Sequence, residues 1–397
     1  MSSKPPFVGE RARVRLDEIA DVKAGNVAPK KHDFSQDGLP FVRAGSLSML
    51  LAGKSVSTLE KIQKKDAERL HLTLFPSGTV VFAKSGMSCM TGNVYVLPEP
   101  CYVVSHLACI KAKDEMLSRY LKHYFKRNSP SSLIENPSFP SIRLSKVSAM
   151  EMMLPARDQI ERMVETLEAV ECEIGICKKR ISDLDSLVKS RFVEMFGDPE
   201  SNPRGFELRP LGKVLSVQPS NGLYKPQKDY VVDGSGTPII RIDSFRNEGP
   251  DFASLKRLNC NEVELGRYTI NENDIVINRV NSVGCMGKTM LVSHVPEPTV
   301  FESNMMRLHA DETVIAPAFL CAQMTSNYSK SYFESNAKRA IGQASINQKD
   351  VKRLPVIVPP FNLQEDYLAF AAQVDKSEFV ARCQRLLLDV LERAMVA

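Results

Sequence analysis

Five short segments of the chain concentrate side chains that can grip a polyanion and read its surface. NVAPKKHDF, residues 26–34, supplies Lys30, Lys31 and His32. AKSGMSCMTGN, residues 83–93, supplies Lys84, Ser85 and Ser88. SNGLYKPQK, residues 220–228, supplies Asn221, Tyr224, Lys225 and Lys228. INRVNSVGCMGK, residues 277–288, supplies Arg279, Asn281, Ser282 and Lys288. SNAKRAIGQAS, residues 335–345, supplies Lys338, Arg339 and Gln343. Arg43 and Arg241 add a cation just after an apolar run in each half. Ammonium and guanidinium groups make charge-assisted hydrogen bonds to phosphate oxygens. Asn, Gln, Ser, Arg and Lys can also meet the donors and acceptors on base edges. Groups with that task belong on loops held by a rigid scaffold. The competing reading of any single cation is a solvated surface charge.

The overall composition permits this chemistry without requiring it. Fifty-two Lys and Arg against 47 Asp and Glu leave a net charge of +5 over 397 residues. That balance is mildly basic and compatible with a polyanionic partner. The length suggests two or three domains. Nine cysteines, an odd number without a CxxC pair, argue against a disulfide framework and read as reduced thiols. Cys101, His106 and Cys109 raise the question of zinc, but YVVSHLACI around them is apolar and β-branched. A buried strand, and no metal, is the expectation there. The first 22 residues carry no apolar signal core, and no apolar run approaches the ~18 residues of a membrane span. A cytoplasmic protein with no membrane contact is expected.

The scaffold is written twice. Leu16-Asp-Glu-Ile19-Ala-Asp-Val22 answers to Leu211-Gly-Lys-Val214-Leu-Ser-Val217. GLPFVRAGSL from Gly38 answers to GTPIIRIDSF from Gly236, setting Pro40 with Pro238, Arg43 with Arg241 and Ser46 with Ser244. GTVVFAK ends at Lys84 and NDIVINR at Arg279; Cys89-Met90 matches Cys285-Met286. PSIRLSKVSAMEMMLP, residues 140–155, matches ASINQKDVKRLPVIVP, residues 344–359. The order of landmarks holds over both halves while loop insertions lengthen the offset, as two diverged copies of one fold would behave. Each copy reads as α/β or mainly β: short runs such as Thr79–Phe82, Ile275–Ile277 and Val356–Val358 lie between turn residues. Helical patches fall near residues 117–127 and 316–326. The matched cations Arg43/Arg241 and Lys84/Arg279 outrank the others as contacts, with structural ion pairs to neighbours such as Asp243 as their alternative.

After each copy the period changes. Ile160, Met163, Leu167, Val170, Ile174, Cys177, Ile181, Leu184 and Val188 fall alternately three and four apart, with charged residues between them. This is a coiled-coil pattern. Gly197 and Pro199 stop it, so a helix from about 157 to 196 is expected, roughly 55–60 Å long. A weaker stripe, Tyr367, Phe370, Val374, Ala381, Leu388, Leu391 and Met395, follows the second copy, broken at Ser377 and Gln384. A narrow stripe suits a helix–helix seam better than a domain surface. The seam would use Ile160, Leu167, Ile174, Ile181 and Val188 against Phe370, Val374, Leu388 and Leu391. The bland alternative packs each helix on its own domain. The resulting boundaries are 1–156 and 199–361 for the two domains, and 157–198 and 362–397 for the two helices.

A two-headed molecule of this kind suits a pseudo-twofold partner, and duplex DNA is the commonest. The landmark order closely resembles the specificity (S) subunit of type I restriction–modification systems, over nearly all of the chain from about Val14. The most telling pieces are SRFVEMFGDPESNPRGFELRPLG (190–212), ASINQKDVKRLPVIVPPFNLQ (344–364) and GTPIIRIDSF. PSIRLSKVSAMEMMLPARDQI, the counterpart in the first copy, departs more. The resemblance implies two target-recognition domains, each reading half of a bipartite site in double-stranded DNA. It implies long helices that pack as an antiparallel coiled coil and set the distance between the half-sites. It implies two modification subunits that methylate adenine with S-adenosylmethionine, and restriction subunits that use ATP and magnesium. It implies no cofactor and no catalysis in this chain.

The residues agree with the last point. Asn136-Pro-Ser-Phe139 is the nearest string to an adenine methyltransferase motif, lacks the second Pro, and reads as a turn. Pro250-Asp251 lacks the Glu-x-Lys strand of a nuclease, and no phosphate-binding loop of the GxxxxGK[ST] type exists. The other class of function is a non-catalytic coiled-coil scaffold with two ligand- or protein-binding heads. In the twice-written junction, Ile142, Ile346, Val147 and Val351 should be buried, leaving base reading to polar residues such as Gln343.

Overall fold

The computed structural model describes residues 12–244, 250–281, 286–340 and 343–395; for 339, 340, 343 and 391–395 only the backbone is described. The chain forms two compact units, Met1–Lys178 with Arg382–Ala397, and Lys179–Ala381.

In the first unit the strands Ala20–Ala24, Leu107–Ala112, Val80–Ala83 and Val94–Val96 form an antiparallel sheet in that order. Val80–Ala83 is buried along its whole length, which is why it reads as an unbroken apolar run. A smaller sheet orders Lys61–Ile62, Leu39–Val42, Cys101–Val103 and Leu74–Phe75, with Leu39–Val42 parallel to Cys101–Val103. A ribbon pairs Ala12–Arg15 with Glu151–Leu154 and closes the domain. Helix Glu115–Arg127 is capped by Asp114, whose carboxylate accepts from Leu117 N at 2.8 Å.

The second unit repeats the main features of this plan. Leu215–Asn221, Met305–Ala310, Asp274–Asn278 and Thr289–Leu291 form the larger sheet in the same order. Thr237–Ile240 runs parallel to Val300–Phe301 in the smaller one, and Glu207–Pro210 pairs with Pro355–Val358. Its smaller sheet gains Tyr230–Val231 at one edge and keeps only a bridge from Thr269 to Val300 where the first unit has Leu74–Phe75, and the hairpin of Lys338–Ala340 and Gln343–Ser345, paired with Val280–Asn281, is a further addition. The duplication reaches single hydrogen bonds. Leu16 N donates to Met150 O at 2.9 Å, and Leu211 N to Leu354 O at 2.8 Å. A β-carbon on Gly25 would fall 2.4 Å from the carbonyl oxygen of Val103, and one on Gly222 2.3 Å from that of Phe301, its counterpart. Only glycine lets the two backbones approach so closely in either copy.

The heptad pattern is a single helix, Arg157–Phe196, and the second stripe another, Phe361–Met395. Gly197 ends the first at φ +78°, its N–H returning to Val193 O at 2.8 Å. Both packing modes foreseen for these helices are present. The ends sit on domain cores: Ile160 and Val164 join the core of the first domain. Phe192 and Phe196 enter that of the second, where Phe196 lies 4.9 Å from Phe319 between ring centroids. Arg119 Nε donates to Glu168 Oε1 at 2.9 Å, and Lys122 and Lys126 both bind Glu171, fastening Glu115–Arg127 to the first helix. Beside them burial pushes His123 down to about 4.

Helix also meets helix. In the second unit Phe192 packs on Tyr367 at 5.5 Å and Arg191 stacks on Phe370 at 5.7 Å. Asp185 acts on Asp375 and Glu378. Residue numbers fall along one helix as they rise along the other, so the pair is antiparallel there. Leu167, Ile174, Cys177, Val374 and Ala381 are buried; Ile181, Val188, Phe370 and Leu388 are half-buried, and the side chain of Leu391 lies outside the described residues. Ser377, which interrupts the stripe in sequence, is exposed; Glu378 takes the buried place instead.

That substitution has a cost. Burial, then Asp185, raises the carboxyls of Asp375 and Glu378 above the usual carboxylate range. An acid that holds its proton more tightly when folded stabilises the fold at low pH and weakens it as the pH rises through that range. Asp185→Asn should therefore raise the thermal midpoint at pH 7 by on the order of 2 °C. The gain should vanish near pH 4, and a melting series across that range checks it.

Candidate nucleic-acid interface

The cationic loops sort into occupied and open groups. Arg43 pairs with Glu60 at 2.9 Å and lies over the rings of Phe34 and Phe41 at 5.0 and 5.5 Å. Arg241 donates to Tyr230 Oη at 2.8 Å and is 3.4 Å from Asp243. Both matched arginines thus have the ion-pair and stacking partners of a structural role. Lys225, mostly buried, is 2.8 Å from Glu264, which holds its ammonium above the usual range. Arg279 donates to Ser303 O at 3.0 Å. Asn221 accepts from Gln348 Nε2 at 3.5 Å.

Lys30, Lys31, Lys228 and Lys338 are exposed, and Lys84 is half-exposed; none has an ion pair among the described residues. Lys288 is exposed and Asn281 half-buried. Ser282 and Cys285 lie outside the described residues, as do the side chains of Arg339 and Gln343.

The strongest correspondence is at the cation that ends the central strand. Ile142 N donates to Lys84 O at 2.7 Å, and Ile346 N donates to Arg279 O at 3.0 Å. The written-twice junction is therefore laid against the matched cation in each copy. Ile142, Ile346, Val147 and Val351 are all buried, as the motif requires. Across the same corner, Lys84 N donates to His106 O and Arg279 N to Asn304 O, both at 2.9 Å. Each corner thus sets a cation beside a polar residue, His106 in the first copy and Asn304 in the second.

His106 corrects the sequence reading of its segment. Cys101 and Cys109 are buried in strands, but His106 stands exposed in the turn between them, with Nδ1 2.7 Å from Ser85 Oγ. No group of three His, Cys, Asp or Glu among the described residues is arranged to hold a metal, and the eight described cysteines are free. Asn136-Pro-Ser-Phe139 is a turn, Phe139 N donating to Asn136 O at 3.2 Å.

Two copies of one α/β domain, each carrying open cations on loops and each joined to a long helix, define a duplicated polyanion-reading protein. The family model for the type I restriction modification DNA specificity domain matches twice, over residues 10–185 and 203–382, and the chain belongs to that family. It is a DNA specificity subunit with two recognition domains. It is 22% identical over 390 residues to the type I restriction enzyme EcoKI specificity subunit of Escherichia coli (strain K12), covering 90% of this chain and 82% of that one. It is 21% identical over 385 residues to the StySPI specificity subunit of Salmonella potsdam, with the same coverage. A crystal structure of the type I restriction–modification S subunit from M. genitalium shares the fold at a TM-score of 0.55 and 12% identity, covering 100% of this chain and 97% of that one. No described helix is long and apolar enough to cross a membrane.

The sorting of cations gives a direct contrast. Lys228→Ala should weaken binding to duplex DNA across sequences and lower the slope of log affinity against log salt by about 1. Lys225→Ala, removing a charge already paired to Glu264, should leave that slope unchanged. Salt titrations of both variants check this.

Proposed function

We propose that the chain reads a bipartite duplex DNA target, one half with residues 1–156 and the other with residues 199–361. The helices 157–198 and 362–397 set the distance between the halves. The observation that carries this is the duplicated corner, where Ile142 and Ile346 hold Lys84 and Arg279 by the same backbone hydrogen bond. A scaffold with two unrelated ligands would have no reason to keep a cation in that one place twice.

The chain supplies recognition and carries no catalytic step. Methyl transfer to adenine falls to two modification subunits with S-adenosylmethionine, and cleavage to restriction subunits with ATP and magnesium, in the cytoplasm. A surface for such subunits is at hand. The second helix exposes Phe379, Val380, Leu386, Leu387 and Val390, and the first exposes Ile176, Leu187 and Val193. These apolar groups stand outside the seam, where a partner helix could cover them.

Mapping methyladenine in DNA exposed to this chain with its modification subunit should return a divided motif with a methylated base in each half. A continuous motif, or none, would overturn the two-headed reading. Deleting one heptad between residues 160 and 188 should alter the spacer or prevent assembly; an unchanged spacer would remove the ruler role.

A further inference from the structure

The turn leading into the strand Leu107–Ala112 is held more firmly than a surface turn needs. His106 O accepts from Lys84 N at 2.9 Å, and His106 Nδ1 shares a hydrogen bond with Ser85 Oγ at 2.7 Å. Ser85 is itself bridged to Ser141 at the junction. One bond pins the backbone of His106 and the other aims its ring, while the residue stays exposed. Among the described residues it makes no other hydrogen bond or ion pair, leaving Nε2 for an outside partner. An imidazole nitrogen donates or accepts according to tautomer, so it can meet either kind of base-edge group. Orientation in the free protein removes the rotamer cost that binding would otherwise carry.

In the second domain Asn304 holds the same place. Its carbonyl accepts from Arg279 N at 2.9 Å and from Val280 N at 3.3 Å. Val280 pairs with Ser345 as Ser85 pairs with Ser141, so a valine stands where the first domain has the orienting hydroxyl. The backbone frame is constant, and the side chain it presents differs. An amide can bond both N6 and N7 of adenine, whereas an imidazole with Nδ1 engaged offers a single nitrogen. In the first domain two apolar groups share the corner. Met87 and Phe139 are 72% and 80% exposed, and their loops are joined by Gly86 N donating to Pro140 O at 3.1 Å. Apolar groups there are available for a thymine methyl.

We propose that His106, oriented by Ser85, is a specificity-determining residue of the first recognition domain, and that Asn304 occupies the equivalent reading position in the second. This rests on the reading of a bipartite DNA target given above. The test maps methyladenine for the assembled methyltransferase carrying His106→Asn, His106→Ala, Ser85→Ala or Asn304→His. Substituting His106 should change or relax one half-site only and reduce methylation of the original site at least about fivefold, the equivalent of one lost base contact. Asn304→His should alter only the other half. Ser85→Ala, which keeps the ring and frees it, should give a smaller loss confined to the His106 half-site.

Unchanged motifs with rates within twofold in both His106 variants would overturn the proposal. So would equal loss in both halves from Ser85→Ala, because a folding role would do that. A wild-type complex that methylates no divided motif would overturn the earlier functional reading instead.

Discussion

A helix of forty residues with an apolar stripe must cover that stripe, and here the cover comes from the same chain. Phe192 on Tyr367 and Arg191 on Phe370 seal the seam in the second unit, and Leu167, Ile174 and Cys177 are buried in the first. Everything else hangs on these helices. The first domain is bound to one by Ile160, Val164 and the Glu168 and Glu171 ion pairs; the second is bound through the aromatic cluster around Phe319. Glu171 is substantially buried, yet Lys122 and Lys126 hold its carboxyl below the usual range against that burial. Removing one partner there would strand a charge, so the clamp fixes an orientation as well as a contact.

The recognition domains divide labour between frame and reader. The frame consists of backbone hydrogen bonds and glycine contacts that recur atom for atom: Gly25 with Gly222, Ile142 with Ile346, Lys84 N with Arg279 N. The reader is whatever side chain the frame presents. Arg43 and Arg241 fall on the frame side, each stacked on aromatic rings and paired with acids. At Arg43 and Arg241 the kept cation thus marks shared architecture. One frame carrying different readers is how a duplicated protein can address two unlike half-sites.

Much of this was legible in the sequence because it rests on period and order. The heptad spacing from Ile160 to Val188 and the Gly197 stop marked out the first helix to its final residues, Arg157–Phe196. The landmark pairs placed both domains in the right order. What sequence does not carry is partnership across distance. Lys225 and Glu264, or Arg43 and Glu60, meet only through the fold, so an occupied lysine and an open one look alike in sequence. His106 was masked by its apolar neighbours, and a turn inside YVVSHLACI has no Gly or Pro to mark it. The slip from Ser377 to Glu378 in the second helix was hidden for a different reason. An acid at a seam position breaks the apolar rule, and only the packing shows that it is buried there.

The central claim is that the two long helices of one chain form an antiparallel seam. The register set by Phe192 with Tyr367 and Arg191 with Phe370, followed along the seam faces, brings Ile181 opposite Glu378. Both positions belong to the second unit, Glu378 buried and Ile181 half-buried. The direct measurement is mild oxidation of the folded chain carrying Ile181→Cys and Glu378→Cys, with the native cysteines replaced by serine or alanine, followed by peptide mapping. The predicted result is an intramolecular crosslink between positions 181 and 378 at every protein concentration. Failure to form it, or crosslinks only between separate chains that rise with concentration, would contradict the antiparallel seam.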